Sequence, residues 1–349
     1  MIKYYTRACN FYFGSISKEK IRKKLSIPLH GNEMISFDTI EILSRKNIKR
    51  IKIQNINSLK FNLKKKVLID IKLISKKKIF KGLKFTNLPF LMGVLNLTPD
   101  SFSDGGKYIK KNLGIKHALK LIKDGSDILD IGGEATNPGS KEIRLDIEWK
   151  RIFATLSKLK KTKKFISLDT RKSMIMERGI KQKINLINDV SGLEHDPNTI
   201  NVLLKTKTPF VIHHMQGNPK TMQKNPKYSN VLLDIYDFFE KKIEYVRSKG
   251  IKHNNIILDP GIGFGKNLKH NITLLQNISI FHSLGFPVML GTSRKRFIKG
   301  LAGENDSKER LGGTIASSLS AIMQGVQILR VHDVNEVKQS IKVFNCLNV

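Results

Sequence analysis

From Phe90 onward, eight short runs rich in β-branched and apolar residues alternate with longer amphipathic segments, and this alternation restricts the chain more than any other feature. The short runs are "FLMGVLNL", "DILDIGG", "FISLDT", "NLINDVS", "PFVIHHM", "NIILDPG", "PVMLGTS" and "QILRVHD". Between them stand segments with helical spacing, such as "GIKHALKLIKDG", "IEWKRIFATLSKL", "VLLDIYDFFEKKIEYVRSKG" and "ERLGGTIASSLSAIMQG", several closed by a glycine suited to a helix C-terminus. Strands that are apolar on both faces need cover on both faces. Repeated strand-helix units of this kind, over about 260 residues, predict an α/β (β/α)8 barrel of parallel strands wrapped by helices. A doubly wound open sheet uses the same units and stands as the alternative, because the pattern does not prove closure.

Residues 1–85 read differently. "MISFDTIEIL", "IKRIKIQNI" and "KKVLIDIKLI" read as strands without helical partners of comparable clarity. The chain is therefore divided into an N-terminal extension, 1–85, of β-rich character and no assigned role, and a barrel, 86–349.

The net charge of +34 points first toward nucleic acid or an anionic membrane. The lysines are spread through every segment, however, and aromatic residues make up 7% of the chain, so no interleaved basic and aromatic face is expected. Neither nucleic acid nor membrane is expected as a partner. Cys9 and Cys346 stand near opposite ends without metal-ligand spacing, which excludes a disulfide framework and favours a reducing compartment. No apolar run reaches the roughly 18 residues of a membrane span. A cytoplasmic protein is expected, although the acid-free, basic start "MIKYYTRACNFYFGSISK" also suits a transit peptide.

In a parallel barrel the loops after the strands' carboxyl ends share one face, where ligand chemistry collects. Every run ends in polar residues: Asn96; Asp130 with Glu134 and Thr136; Asp169; Asn188; His213 with His214; Asp259; Ser293 with Lys295; Arg330 with His332. One Asp or Asn after a strand usually only caps a turn. Eight of eight is a different matter, and several of these groups lie inside apolar runs where they are costly without a partner. Asp169, Asn188 and Asp259 suit the edge of an aminated heterocycle. Lys295, Arg330 and His332 follow the seventh and eighth strands, where barrels often hold phosphate; with Asn96 they suit a diphosphate and Mg²⁺. "DPGIGFGK" is not a phosphate loop, since Pro260 stands where the first glycine belongs; its glycines are read as letting backbone approach a flat ring. No Ser/His/Asp order, HExxH or CxxC occurs.

The series "GVLNLTPDSFSDGG", "DILDIGGEATNPGS", "SLDT", "INDVSG", "HHMQGNP", "DPGIGFGK", "GTSRKRF" and "RVHDV" resembles the dihydropteroate synthase family, from about Leu88 to the C-terminus. The resemblance implies a (β/α)8 barrel and a transferase of folate biosynthesis, which joins 6-hydroxymethyl-7,8-dihydropterin diphosphate to p-aminobenzoate and releases diphosphate. It implies a pterin pocket of Asp169, Asn188, Val190, Asp259, Phe264, Gly291 and Lys295, and a diphosphate site of Asn96, Arg330 and His332 with Mg²⁺ at Asn96. Phe102, Thr136, Pro138 and Ser293 would place p-aminobenzoate. Asp104, Lys295 and Arg330 would carry the chemistry, with "TPDSFSDGG" as a closing lid whose Asp104 faces developing positive charge. A homodimer is also implied.

One loop departs from the family. Where it usually reads "GGESTRPG", this chain reads "GGEATNPG", so that Asn137 stands for an Arg and Ala135 for a Ser. An Asn lacks the charge and planar fork of an Arg; Arg144 is the nearby candidate to replace it. Two rivals remain: a methyltetrahydrofolate methyltransferase, which needs neither the lid nor the diphosphate residues, and a basic nucleic-acid-binding protein.

Overall fold

The computed structural model describes residues 2–85, 89–98 and 111–348. The N-terminal part builds a sheet of its own. Its strands are β1 (Tyr5–Phe13), β2 (Ile27–Leu29), β3 (Asn32–Leu43) and β4 (Ile48–Lys52), with helix α1 (Gly14–Arg22) between β1 and β2 and helix α2 (Phe61–Ser75) after β4. The long β3 is central and pairs antiparallel with all three others. The first expected strand is present within β3, and the second only in its first part, as β4, because "IQNI" turns into a 3₁₀ helix, Ile53–Ser58. The third, "KKVLIDIKLI", is corrected: it lies within α2. Its near-continuous apolar run hides the period, and the buried positions Val67, Ile71 and Ile74 fall at helical spacing while Leu68 and Ile69 stay exposed. These three pack on Ala8, Phe37, Ile40 and Ile42 of the sheet.

The sheet is fastened to the barrel by specific contacts. They meet α7 (Val231–Ser248), the 3₁₀ turn Ile278–Leu284 and the residue just before that turn's N-cap. Tyr5 donates its hydroxyl to Asp237 at 2.9 Å and stands edge-on to Tyr236; Arg45 reaches Asp234 and Asp237 at 2.7 Å each. Ser279 donates to the Ala8 carbonyl at 3.0 Å, and Arg7 to that of Gln276 at 3.2 Å.

The remaining elements alternate as expected: β5 (Phe90–Asn96), α3 (Lys111–Asp124), β6 (Ile128–Gly132), α4 (Leu145–Leu159), β7 (Phe165–Asp169), α5 (Ser173–Lys181), β8 (Leu186–Asp189), α6 (Thr199–Thr206), β9 (Phe210–His213), then α7, β10 (Ile256–Asp259), α8 (Leu268–Gln276), β11 (Met289–Leu290), α9 (Arg296–Ala302), α10 (Leu311–Met323), β12 (Ile328–Val331) and α11 (Val334–Leu347). Gly125, Gly250 and Gly325 follow α3, α7 and α10 with φ of +98°, +97° and +79°, the left-handed turn that ends those helices. The strands run in the order β10-β9-β8-β7-β6-β5-β12-β11, all parallel, and a parallel bridge between Leu258 and Val288 joins the two ends. The sheet is closed, which removes the open-sheet alternative.

Closure splits the apolar residues into two layers. Leu91, Leu95, Leu129, Ile131, Ile166, Leu168, Ile187, Ile212, Leu258 and Leu329 face the helices. Met92, Ile128, Leu186, Val211, Ile257, Met289 and Ile328 fill the lower barrel interior, and Phe80 and Phe85 from the connecting segment pack against them as a floor.

Candidate active site

Side chains alternate along a strand, so a residue two positions beyond an inward one also points inward. Counting up from the lower layer gives Asn96 (four beyond Met92), Asp130, Asn188, His213, Asp259, Gly291 and Arg330, with His332 two further on. Asp169 joins them through its register with Gly132 and Asn188. The polar strand ends thus form the layer above the apolar plug, at the barrel's carboxyl mouth.

Arg330 organises one side. Its Nε donates to Asp130 at 2.6 Å and its Nη2 to Asp169 at 2.8 Å. The wholly buried Asp130 also accepts from Asn188 Nδ2 at 3.0 Å. One guanidinium therefore serves two carboxylates. Burial, reinforced by Asp130 and opposed by Arg330, pushes the Asp169 carboxyl up to about 8. Asp130 Oδ1 and Asn188 Oδ1 are buried acceptors with no partner among the described residues. The role of Asp130 is not apparent from its place at a strand end; its position inside the apolar "ILDIGG" is the available signal.

The opposite side is built on the loop after β10. Asp259 accepts the Gly261 N–H at 2.8 Å, and burial raises its carboxyl above the usual range despite Lys295 close by. Lys295 donates to the Ile262 carbonyl and holds its ammonium 4.5 Å from the Phe264 ring centre. Burial outweighs the pull of Asp259 and brings Lys295 down to about 7. Gly261 has φ of +67°, and a Cβ there would lie 2.1 Å from the His214 carbonyl. The glycines of "DPGIGFGK" thus let this loop close against the β9 loop and Lys295. Lys266, which ends the run, is buried and ties the loop to His214 Nδ1 at 3.0 Å and to the Phe264 carbonyl at 2.9 Å. His213 stands edge-on to Phe264 at 4.7 Å, and Val190 is buried beside it, with its carbonyl 2.8 Å from His213 Nδ1.

Ser293 and His332 form a unit. The His332 backbone N–H donates to Ser293 Oγ at 3.2 Å, and Oγ lies 3.0 Å from His332 Nδ1. The hydroxyl's own O–H is free to donate to Nδ1, the arrangement that puts the ring proton on Nε2. Burial, with Arg330 nearby, lowers His332 to about 3, so the ring is neutral. Ser293 is thereby engaged with His332, and Gly291 lies under Arg330, a Cβ there meeting Arg330 Cβ at 3.7 Å.

Thr136 and Pro138 are half-buried in the loop after β6, and Gly139 ties this loop to Pro219 of the β9 loop at 3.0 Å. Glu134 from the same loop is taken up by Arg171 and Lys172, each at 2.9 Å, so it serves structure. Phe102 and Asp104, with the proposed lid, lie outside the described residues. A depression of about 800 Å³ lies beside the mouth between Glu142, Arg144, Lys172 and His195, and none of the converging residues lines it.

A model of the pterin binding enzyme family matches residues 92–332. Dihydropteroate synthase of Escherichia coli is 40% identical over 256 residues, covering 73% of this chain and 90% of that protein. The chain belongs to the dihydropteroate synthase family. A Yersinia pestis dihydropteroate synthase solved as a sulfonamide drug complex has a TM-score of 0.72 at 37% identity, covering 77% of this chain and 98% of its own. The Xanthomonas albilineans dihydropteroate synthase in complex with 7,8-dihydropteroate has a TM-score of 0.69 at 33% identity, covering 76% and 95%.

Within a dihydropteroate synthase, the Asn137 departure finds no replacement at Arg144. That side chain is 80% exposed and paired with Asp146 at 3.0 Å. Asn137 itself is exposed, its carbonyl accepting the Ser140 N–H at 3.0 Å.

Proposed function

We propose that the barrel mouth holds the dihydropterin between the Asp130–Asn188–Asp169 side and the Asp259–Lys295–Phe264 side, and its diphosphate toward Asn96 and His332. The chain is a dihydropteroate synthase: it condenses 6-hydroxymethyl-7,8-dihydropterin diphosphate with p-aminobenzoate to 7,8-dihydropteroate and diphosphate. The observation that carries the residue roles is the pair of orphan acceptors, Asp130 Oδ1 and Asn188 Oδ1, in a pocket where a flat ring bearing N–H groups would satisfy them. Lys295, poised near 7, gives the ring carbonyl and ring nitrogen a donor at modest desolvation cost, since part of its population is already neutral. Phe264, Val190 and Gly291 supply flat or small walls.

The reaction breaks the bond between the pterin methylene and the diphosphate oxygen, whose electron pair leaves with diphosphate. The p-aminobenzoate nitrogen then attacks the methylene cation and loses a proton. The demand on the protein is stabilisation of the departing anion. Neutral His332 offers Nε2–H to a diphosphate oxygen, and Arg330 offers positive charge from below. Thr136, Pro138 and Phe102 would flank p-aminobenzoate, Ser293 would act by orienting His332, and Asp104 would face the cation.

Mg²⁺ is proposed as cofactor. The described residues hold no cluster of three His, Cys, Asp or Glu side chains, which does not suit a protein-built cage. A single amide oxygen from Asn96 does suit an ion that arrives with the diphosphate and keeps its waters. Bound there, it would neutralise charge on the leaving group. A homodimer and a cytoplasmic location are proposed on the family resemblance, the latter supported by the free Cys9 and Cys346; among the described residues no helix is long and apolar enough to cross a membrane.

A steady-state assay with both substrates and Mg²⁺ tests the activity, and Lys295→Ala and Asp259→Ala test the roles. Both variants should fold and form no measurable dihydropteroate; near-normal rates in either remove the assignment.

A further inference from the structure

The opposite end of the barrel carries a second, partly open cavity that the synthase reaction does not use. It measures about 200 Å³ and is lined by His30 from the turn after β2, Asn32 at the start of β3, Lys77 and Lys78 after α2, Phe85 of the floor, and Gln327 just before β12. Both the N-terminal sheet and the barrel therefore contribute walls.

Its polar groups are an unbalanced set. Lys78 is 5% exposed, and two of its three N–H groups go to the carbonyls of Leu73, at 2.5 Å, and His282, at 3.4 Å. No carboxylate among the described residues acts on it; the charged neighbour that does is Lys76. Gln327 is fully buried and accepts the Val288 N–H at 2.7 Å, and its Nε2 has no partner among the described residues. His30 lies with Nε2 3.2 Å from the Gly325 carbonyl, and His282, edge-on to it at 4.3 Å, with Nε2 2.7 Å from the Gln324 carbonyl. Those carbonyls fix the ring protons on Nε2, and neither Nδ1 atom has a partner among the described residues. The cavity thus offers an ammonium, an amide N–H₂ and the His30 ring, with His282 behind it, and no carboxylate among the described residues meets them. Buried charge without a counterion is disfavoured, and burial lowers Lys78 to about 7 when the site is empty.

We propose that this cavity is a binding site for a small oxyanion, a carboxylate or phosphate group held by Lys78 and Gln327 Nε2 with His30 alongside. Its occupant bridges the N-terminal sheet and the barrel floor, so it binds the docked, folded chain in preference to the unfolded one and stabilises it. The volume is ample for a small anion.

The test uses the full chain, with inorganic phosphate and, separately, acetate as probes, and reads thermal unfolding of the wild type, Lys78→Met and Gln327→Leu. A Tm rise of several degrees in the wild type that both variants lose supports the site, and the probe that produces it says whether phosphate or carboxylate is the preferred group. Dihydropteroate formation without added anion should be unchanged in both variants. Equal rises in all three proteins would place the anion at the diphosphate-binding mouth and overturn the proposal. Should either variant fail to fold, wild-type crystals soaked in each probe decide: density within hydrogen-bond reach of Lys78 Nζ and Gln327 Nε2 supports the site, and a cavity holding water alone in both soaks overturns it.

Discussion

Replacing Lys295 by Met should abolish synthase activity and at the same time make the free protein more stable, by an amount that depends on pH. Lys295 sits below its ordinary value of 10.5, at about 7. For a group depressed on folding, the native state is disfavoured progressively as pH falls from the unfolded value to the folded one. At about 1.4 kcal/mol per tenfold change, the full cost is ~4 kcal/mol at pH 7 and ~2 kcal/mol at pH 9. Two effects reduce what the variant recovers: part of Lys295 faces the mouth, and Asp259 loses its cation and binds its proton more tightly. A net gain of about 2 kcal/mol at pH 7, shrinking to about 1 kcal/mol at pH 9, is expected. Urea midpoints of wild type and variant at the two pH values, at equal slopes, measure it. A gain that is absent, or the same at both values, would refute the reasoning that Lys295 is held against its preferred charge state.

Asp130→Ala should cost about 3–5 kcal/mol and abolish activity, since Arg330 and Asn188 lose a buried acceptor; an unchanged urea midpoint would contradict this. Ser293→Ala should leave the fold intact and lower kcat roughly tenfold, one hydrogen bond's worth, with little change in the pterin KM, because it frees the His332 tautomer; a change confined to the KM for p-aminobenzoate would instead place the hydroxyl on that substrate. Asn137→Arg, at an exposed loop position, should raise or preserve turnover, and a sharp loss would show that the loop has been rebuilt around Asn. Sulfonamides should inhibit competitively with p-aminobenzoate, as read from double-reciprocal plots at several inhibitor concentrations.

The barrel and its polar mouth were legible because one period governs both. In "NIILDPG" the apolar Ile257 and the polar Asp259 share a face by alternation alone, and the same count finds Arg330 above Ile328 and Asn188 above Leu186. What the count cannot supply is which polar group meets which. Arg330 was expected at the diphosphate, and the structure has it spanning Asp130 and Asp169, contacts 200 and 161 residues away in sequence. Glu134 looked like a member of the pocket until Arg171 and Lys172 claimed it. In the N-terminal part the failure has another cause. α2 is apolar at almost every position through "VLIDI", which satisfies the strand period and the helix period alike, and only contact with the sheet selects Val67, Ile71 and Ile74.

The aromatic floor has a practical bearing on where this chain can be cut. Phe80 and Phe85 belong by sequence to the stretch ahead of β5, yet they seal the lowest ring of the barrel. A shortened protein beginning at Phe90 would open that ring to water, forfeiting about 1.5–3 kcal/mol for each large side chain left wet. A clone meant to yield the isolated catalytic half should therefore start upstream of Phe80, keeping the stopper with the vessel.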